Sequence, residues 1–183
     1  MAPADGDKQT KILDAALEKF SAYGFSRTSM VDISEAAGMS RPALYQHYAN
    51  KEEIFRAMLG RILDDAADRA IACLEDEVGL ESQLDGFLQR WFGDMAETLR
   101  ATQHGSDLIE AKAGHAKPVV EVVNHRIRAA LIARLRDVDG DPGLLADLLL
   151  LGPHGLKYDE PSMAKLRRRL GALATTVARS TES

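Results

Sequence analysis

The stretch from Ser29 to Lys51, SMVDISEAAGMSRPALYQHYANK, constrains the fold more than any other part of the chain. Its spacing predicts two short helices joined by a tight turn, with a third helix beginning where the stretch ends. Ser29 stands where it can cap the first helix, with Asp32 three residues on and Ile33 and Ala36 or Ala37 following at helical spacing. Gly38 supplies the positive φ that ends this helix and turns the chain. Ser40 caps the second helix, with Pro42 in its first turn, where a missing N–H costs little. Asn50 and the run Lys51–Glu52–Glu53 mark another N-cap and an acidic first turn.

Helices of about two turns do not persist alone in water, so both must pack on something. In the second, Leu44 and Tyr48 lie four apart and point the same way, into a core. That turns Pro42, Ala43, Tyr45 and Gln46 outward, with Arg41 at the N-terminal tip. Arg forks onto guanine, Gln onto adenine, and a small apolar side chain touches a thymine methyl. A helix–turn–helix with a Gly-bearing turn is the motif that places its second helix in a major groove. The same residues also suit an ordinary αα-corner with a solvated outer face, and the spacing alone leaves both open.

Residues from about Thr10 to Met58 resemble the DNA-binding domain of the TetR family of transcriptional regulators. The resemblance is carried by Ala16, Phe20 and Gly24, by the segment DISEAAGMS, and by LYQHYANKEE. It implies an all-α fold: an N-terminal three-helix helix–turn–helix DNA-binding domain, residues 1–52 with 1–7 mobile, and a C-terminal helical ligand-binding and dimerisation domain, residues 53–183. By position it makes Ser40 to Tyr48 the recognition helix. Arg41, Pro42, Ala43, Tyr45 and Gln46 become groove contacts, His47 and Lys51 phosphate contacts, and Ser29 the helix start that touches the DNA backbone. Ala43 stands where Thr or Ser is frequent in the family, and Val31 where some members carry a base-reading long side chain. The operator sequence therefore does not carry over.

Charge does not announce a DNA binder: the net charge is −5, and the cations of the first 56 residues face a similar number of carboxylates. An acidic body can still assist by repelling DNA away from the docking face. No stretch approaches the roughly 20 apolar residues of a membrane span. The start, MAPADGDKQT, lacks the apolar core of a signal peptide, and Cys73 is the only cysteine, so a cytoplasmic protein without an internal disulfide is expected.

Helices are expected over 7–23, from Lys51 to about Glu77, over Ser82–Thr102, within 104–114, from Pro118 to Val138, from Pro142 onward and over 161–179. Gly152–Pro153 should kink or break the penultimate one. The stripe Leu84, Phe87, Leu88, Trp91, Met95 and Leu99 reads as core or as the wall of an apolar ligand cavity. Asn124, expected on the buried face of its helix, needs a polar partner, which makes Phe87, Trp91, Met95, His104 and Asn124 the candidate ligand residues. Asp107, Glu110, His115, Glu121 and His125 form no dense metal motif, and Arg167–Arg169 reads as a solvated basic run.

The last two helices carry more apolar face than a monomer needs, with Leu148, Leu166, Leu170, Leu173 and Val177 as the expected dimer contacts. The family dimerises through this pair. No Gly-rich phosphate loop and no nucleophile–base pairing suggests an enzyme, and no catalytic residue, metal or cofactor is expected. The resemblance thus implies a homodimeric repressor of a palindromic double-stranded DNA operator, released by a partly apolar small-molecule inducer. A ligand-independent regulator or activator controlled by a protein partner is the alternative.

Overall fold

The computed structural model describes residues 5–157 and 159–181. Every regular element among them is helical: α1 (Asp5–Tyr23), α2 (Met30–Ala36), α3 (Arg41–His47), α4 (Lys51–Ala72), α5 (Leu80–Leu88), α6 (Asp94–Ala101), α7 (Gly105–His115), α8 (Lys117–Arg134), α9 (Pro142–Leu156) and α10 (Met163–Ser180). A π-helical segment, Gln89–Gly93, joins α5 to α6. Of residues 1–7, expected to be mobile, 1–4 lie outside the described residues and 5–7 belong to α1.

The chain forms two compact units. The first comprises Met1–Leu63 with Leu99–Glu121, the second Asp64–Thr98 with Val122–Ser183. The expected boundary at residue 52 does not coincide with this division. Ala111 and Ala116, at and beyond α7, share one core cluster with Phe20, Ile33, Leu44 and Phe55, so the first unit gathers two separate stretches of sequence.

That core follows from the stripe on α1. Ile12, Ala16 and Phe20 recur every four residues and are completely buried. Phe20, Phe25 and Phe55 close a triangle with ring centroids 5.4, 5.7 and 5.0 Å apart, two of the three contacts being edge-on. Such arrangements set the positive ring edge against the negative face. Gly24 ends α1 at φ +83, and Gly38 ends α2 at φ +64, both in the left-handed region that only glycine enters cheaply.

In the second unit α10 lies along α5, burying Leu166, Leu170, Ala174 and Val177. The π segment is invisible to a regular 3.6 repeat. Its wider turn admits an extra residue, and Trp91 and Phe92 are both buried in succession. α4 stops at Ala72, before the expected 77, and α8 at Arg134, before 138. α9 runs through Gly152–Pro153 to Leu156, so the helix does not break where a kink or break was expected. Pro153 is buried there, and a Cβ on Gly152 would lie 3.2 Å from Leu173, which places a glycine where the two last helices approach closely.

Asn124 is exposed, not on the buried face. The buried row of α8 is Val123, Ile127, Leu131, continuing to Leu135 just past its end, while Asn124 belongs to the row of Val120, which is only half-buried and drifts outward.

Phe55 is 1% exposed and touches both other rings, so Phe55→Ala should destabilise the protein by about 3–5 kcal/mol. Urea unfolding followed by circular dichroism checks this.

Candidate nucleic-acid interface

Ser29, in extended conformation, caps α2 in a reciprocal box. Its Oγ accepts from the Asp32 amide at 3.3 Å, and Asp32 Oδ2 accepts from the Ser29 amide at 2.8 Å and from its hydroxyl at 2.7 Å. The Ser29 hydroxyl and amide hold the Asp32 carboxyl below the usual carboxylate range. The α2 C-terminus closes with the Gly38 amide donating to Glu35 O and the Met39 amide to Ser34 O. Ser40 Oγ then accepts from the Ala43 amide at 3.4 Å, and Pro42 sits in the first turn of α3.

α3 has seven residues and buries one side chain completely, Leu44. Tyr48, just past its end, packs against the core partly buried, and desolvation raises its phenol pKa. The remaining positions are those expected to face outward. Arg41, Pro42, Tyr45 (48% exposed) and Gln46 are open to solvent, Ser29 and Ser40 are exposed at their caps, and Ala43 and His47 are half-buried. A guanidinium, a phenol and an amide on one short, rigidly seated helix are groups that can hydrogen-bond base edges in a major groove.

Lys51, expected as a phosphate contact, turns its ammonium to the protein backbone in this structure. Its ammonium donates to three backbone carbonyls, Phe25 at 2.9 Å, Thr28 at 3.0 Å and Ser26 at 3.3 Å, and lies 4.6 Å from the Phe25 ring centre. Those bonds engage all three N–H groups. Lys51 is therefore an anchor for the α1–α2 loop. The sequence signal, a lysine at the first turn of a helix, fits either role; the carbonyls it reaches lie more than 20 residues upstream.

A family model for bacterial regulatory proteins of the TetR family matches residues 12–58, which span α1 to the first third of α4. The helix–turn–helix head of this chain is a TetR-family DNA-binding domain. It is 41% identical over 73 residues to the transcriptional repressor ComR of Escherichia coli K12, a match covering 39% of this chain and 35% of ComR. With the transcriptional regulator TtgR of Pseudomonas putida it shares 29% identity over 126 residues, 68% of this chain and 60% of TtgR. The matched stretches thus span about a third to three fifths of these curated relatives. Among solved structures, Salmonella enterica GusR superposes with a TM-score of 0.62 at 25% identity, covering 100% of this chain and 99% of that one. The match is to the DNA-binding head that these transcription regulators share.

The other expected groupings fare differently. Phe87 and Trp91 are buried and Met95 half-buried in the second unit, whereas His104 belongs to the first unit, where its Nε2 lies 3.0 Å from Arg27 Nη2. Asn124, also of the second unit, is exposed. A cavity of about 500 Å³ is found in the first unit, open to solvent and lined by Lys19, Tyr23, Arg27, Asp32, Glu35 and Ala36. Its charged lining is unlike an apolar sensor pocket.

Of the expected dimer contacts, Leu166, Leu170 and Val177 are covered within a single chain, because α10 packs its apolar face on α5, and Leu173 is half-buried. Leu148 is exposed, in line with Leu144 (69% exposed) and Leu151 (68%) on the outer side of α9. In the basic run, Arg167 pairs with Asp94 and Glu97, and Arg169 with Asp159, so two of its three guanidiniums are engaged internally. Asp107 accepts from Ser26, and the His115 ring lies 5.1 Å from that of Phe25. Among the described residues no helix is long and apolar enough to cross a membrane.

Replacing Lys51 by Met removes the ammonium and keeps the stem, and should lower stability by about 1.5–3 kcal/mol in urea unfolding. The salt dependence of DNA binding should keep its wild-type slope. A slope smaller by about one would return Lys51 to the phosphate contacts.

Proposed function

We propose that this chain is a homodimeric transcriptional repressor that reads a palindromic operator through α3. The observation that carries the reading is the exposed set Arg41, Pro42, Tyr45 and Gln46 on a helix whose opposite side, Leu44, is sealed in the core. A helix presented this way gives direct readout, while phosphate contacts fix register without specifying sequence. ComR, 41% identical over 73 residues, is a repressor, which supports the same direction of regulation. Two heads about 34 Å apart on one face of the duplex require a two-fold partner.

The pairing surface in this reading shifts from α10 to α9. Leu144, Leu148 and Leu151 recur at i, i+4 and i+7 and are exposed in the single chain. Pairing with a second copy would bury this stripe in a bundle of final helices. A small-molecule inducer acts in the second unit only if it binds one head spacing better than the other. Met95, half-buried beside the covered Trp91, is the residue of the expected set best placed to meet one.

A regulator without an inducer is favoured by a separate observation: Phe87 is 0% and Trp91 9% exposed, so these rings act as core. A thermal-shift screen of small molecules, with release from DNA as readout and Trp91 emission as a companion signal, separates the two. Compounds that raise the melting point and release DNA support induction; a ligand-free protein still controlled by a protein partner supports the second reading.

Arg41→Ala should cost about 1–3 kcal/mol of binding and relax preference at one base position, measured on duplexes selected from a randomised pool. Unchanged discrimination would remove Arg41 from the base contacts. Changing both Leu144 and Leu151 to Glu should give monomers in sedimentation with the helical content retained. A stable dimer would place the interface elsewhere.

A further inference from the structure

The loop of residues 24–29, between α1 and α2, is gripped from two directions. On one side Lys51 collects its carbonyls. On the other, Asp107 near the start of α7 accepts from the Ser26 hydroxyl at 3.0 Å and from the Ser26 amide at 3.3 Å. Beside it, Arg27 sends Nε to the Tyr23 carbonyl at 2.9 Å and Nη2 to the His104 ring, 3.0 Å from Nε2. Guanidinium only donates, so the ring nitrogen it meets is the acceptor. Gly24 completes the fit: a Cβ there would lie 2.4 Å from Asp107 Oδ2. These partners are 77 and 81 residues apart in sequence, and no repeat or motif links them.

The Asp107 and His104 contacts are polar, whereas Phe20, Phe25 and Phe55 close the core by ring packing. The consequence of the grip lies one residue further along. The loop ends at Ser29, whose capping box fixes the first turn of α2, and α2 in turn seats α3. Partial burial pushes the Asp107 carboxyl up, but the Ser26 hydrogen bonds outweigh it and leave the group below the ordinary carboxylate range, as a charged acceptor. A charged acceptor taking two bonds from one serine restrains that backbone more than neutral contacts do.

We propose that Asp107 and His104 are positioning residues for DNA binding: by holding Ser26 and Arg27 they set the α1–α2 loop, and through it the start of α2 and the seat of the recognition helix. The chain enters the first unit at Leu99, shortly before His104. The assignment rests on the DNA-binding reading above.

The test uses the full-length protein and duplexes that the wild type selects from a randomised pool. Asp107→Ala is expected to bind the selected duplex about tenfold more weakly, with base preference unchanged and at a temperature well below its unfolding midpoint. Adding Ser26→Ala should cause no further loss, and the Ser26 and Asp32 amides should exchange faster with solvent. His104→Gln, which keeps an acceptor toward Arg27, should retain affinity where His104→Ala loses it. If Asp107→Ala does not fold, Ser26→Ala alone replaces it. Wild-type affinity in the loop variants, with a duplex selected and Arg41→Ala impaired, overturns the positioning role and leaves the DNA-binding reading intact. Failure of the wild type to select any duplex overturns that reading, and the positioning role with it.

Discussion

The seat of α2 and α3 depends on a cation turned inward, onto the backbone of the loop before them. Lys51 spends its ammonium on the carbonyls of Phe25, Ser26 and Thr28, a cluster of acceptors left over where α1 has ended and α2 has not begun. α2 and α3 have seven residues each, too few to hold themselves in helical form. Their orientation is inherited from the loop before them and the aromatic triangle below. The first turn of α4 thereby joins the loop, the Phe25 ring and the core into one rigid head.

Local chemistry explains why the head was legible in the sequence. Caps, glycine turns and a proline in a first turn act over three or four residues, so Ser29, Gly38, Ser40 and Pro42 announce their own roles, and the structure finds them in those roles. Lys51 was not legible in the same way. Its partners lie far upstream, and a lysine beside a recognition helix suits a phosphate as well as a carbonyl. The same limit hid the pairing of Arg27 with His104 and of Ser26 with Asp107, which depends on α7 coming home to the head.

Periodicity has a related limit in the second unit. A stripe reports that a face is covered but not by what. Leu166, Leu170 and Val177 are covered by their own chain, while Leu144, Leu148 and Leu151 look outward. An all-round apolar helix such as α9 satisfies both demands at once, with Ala146 and Leu149 turned inward. Asn124 shows how little separates the outcomes: one position along from Val123, it falls on the solvent side. The π segment adds a further displacement, since its extra residue shifts the phase of everything after Gln89.

The first unit is stitched from two stretches, residues up to Leu63 and Leu99–Glu121, with the other unit's chain running between them. This has a bearing on where the chain can be cut. A crossover just after the reading helices would hand a new body to a head deprived of Ala111, Ala116 and the Asp107 contact. Grafting this head onto another body has to carry both stretches together, since Ala111 and Ala116 belong to the core cluster of the phenylalanines. The head of this chain is therefore not one linear segment: part of its packing is delivered by residues that follow Asp64–Thr98 of the other unit.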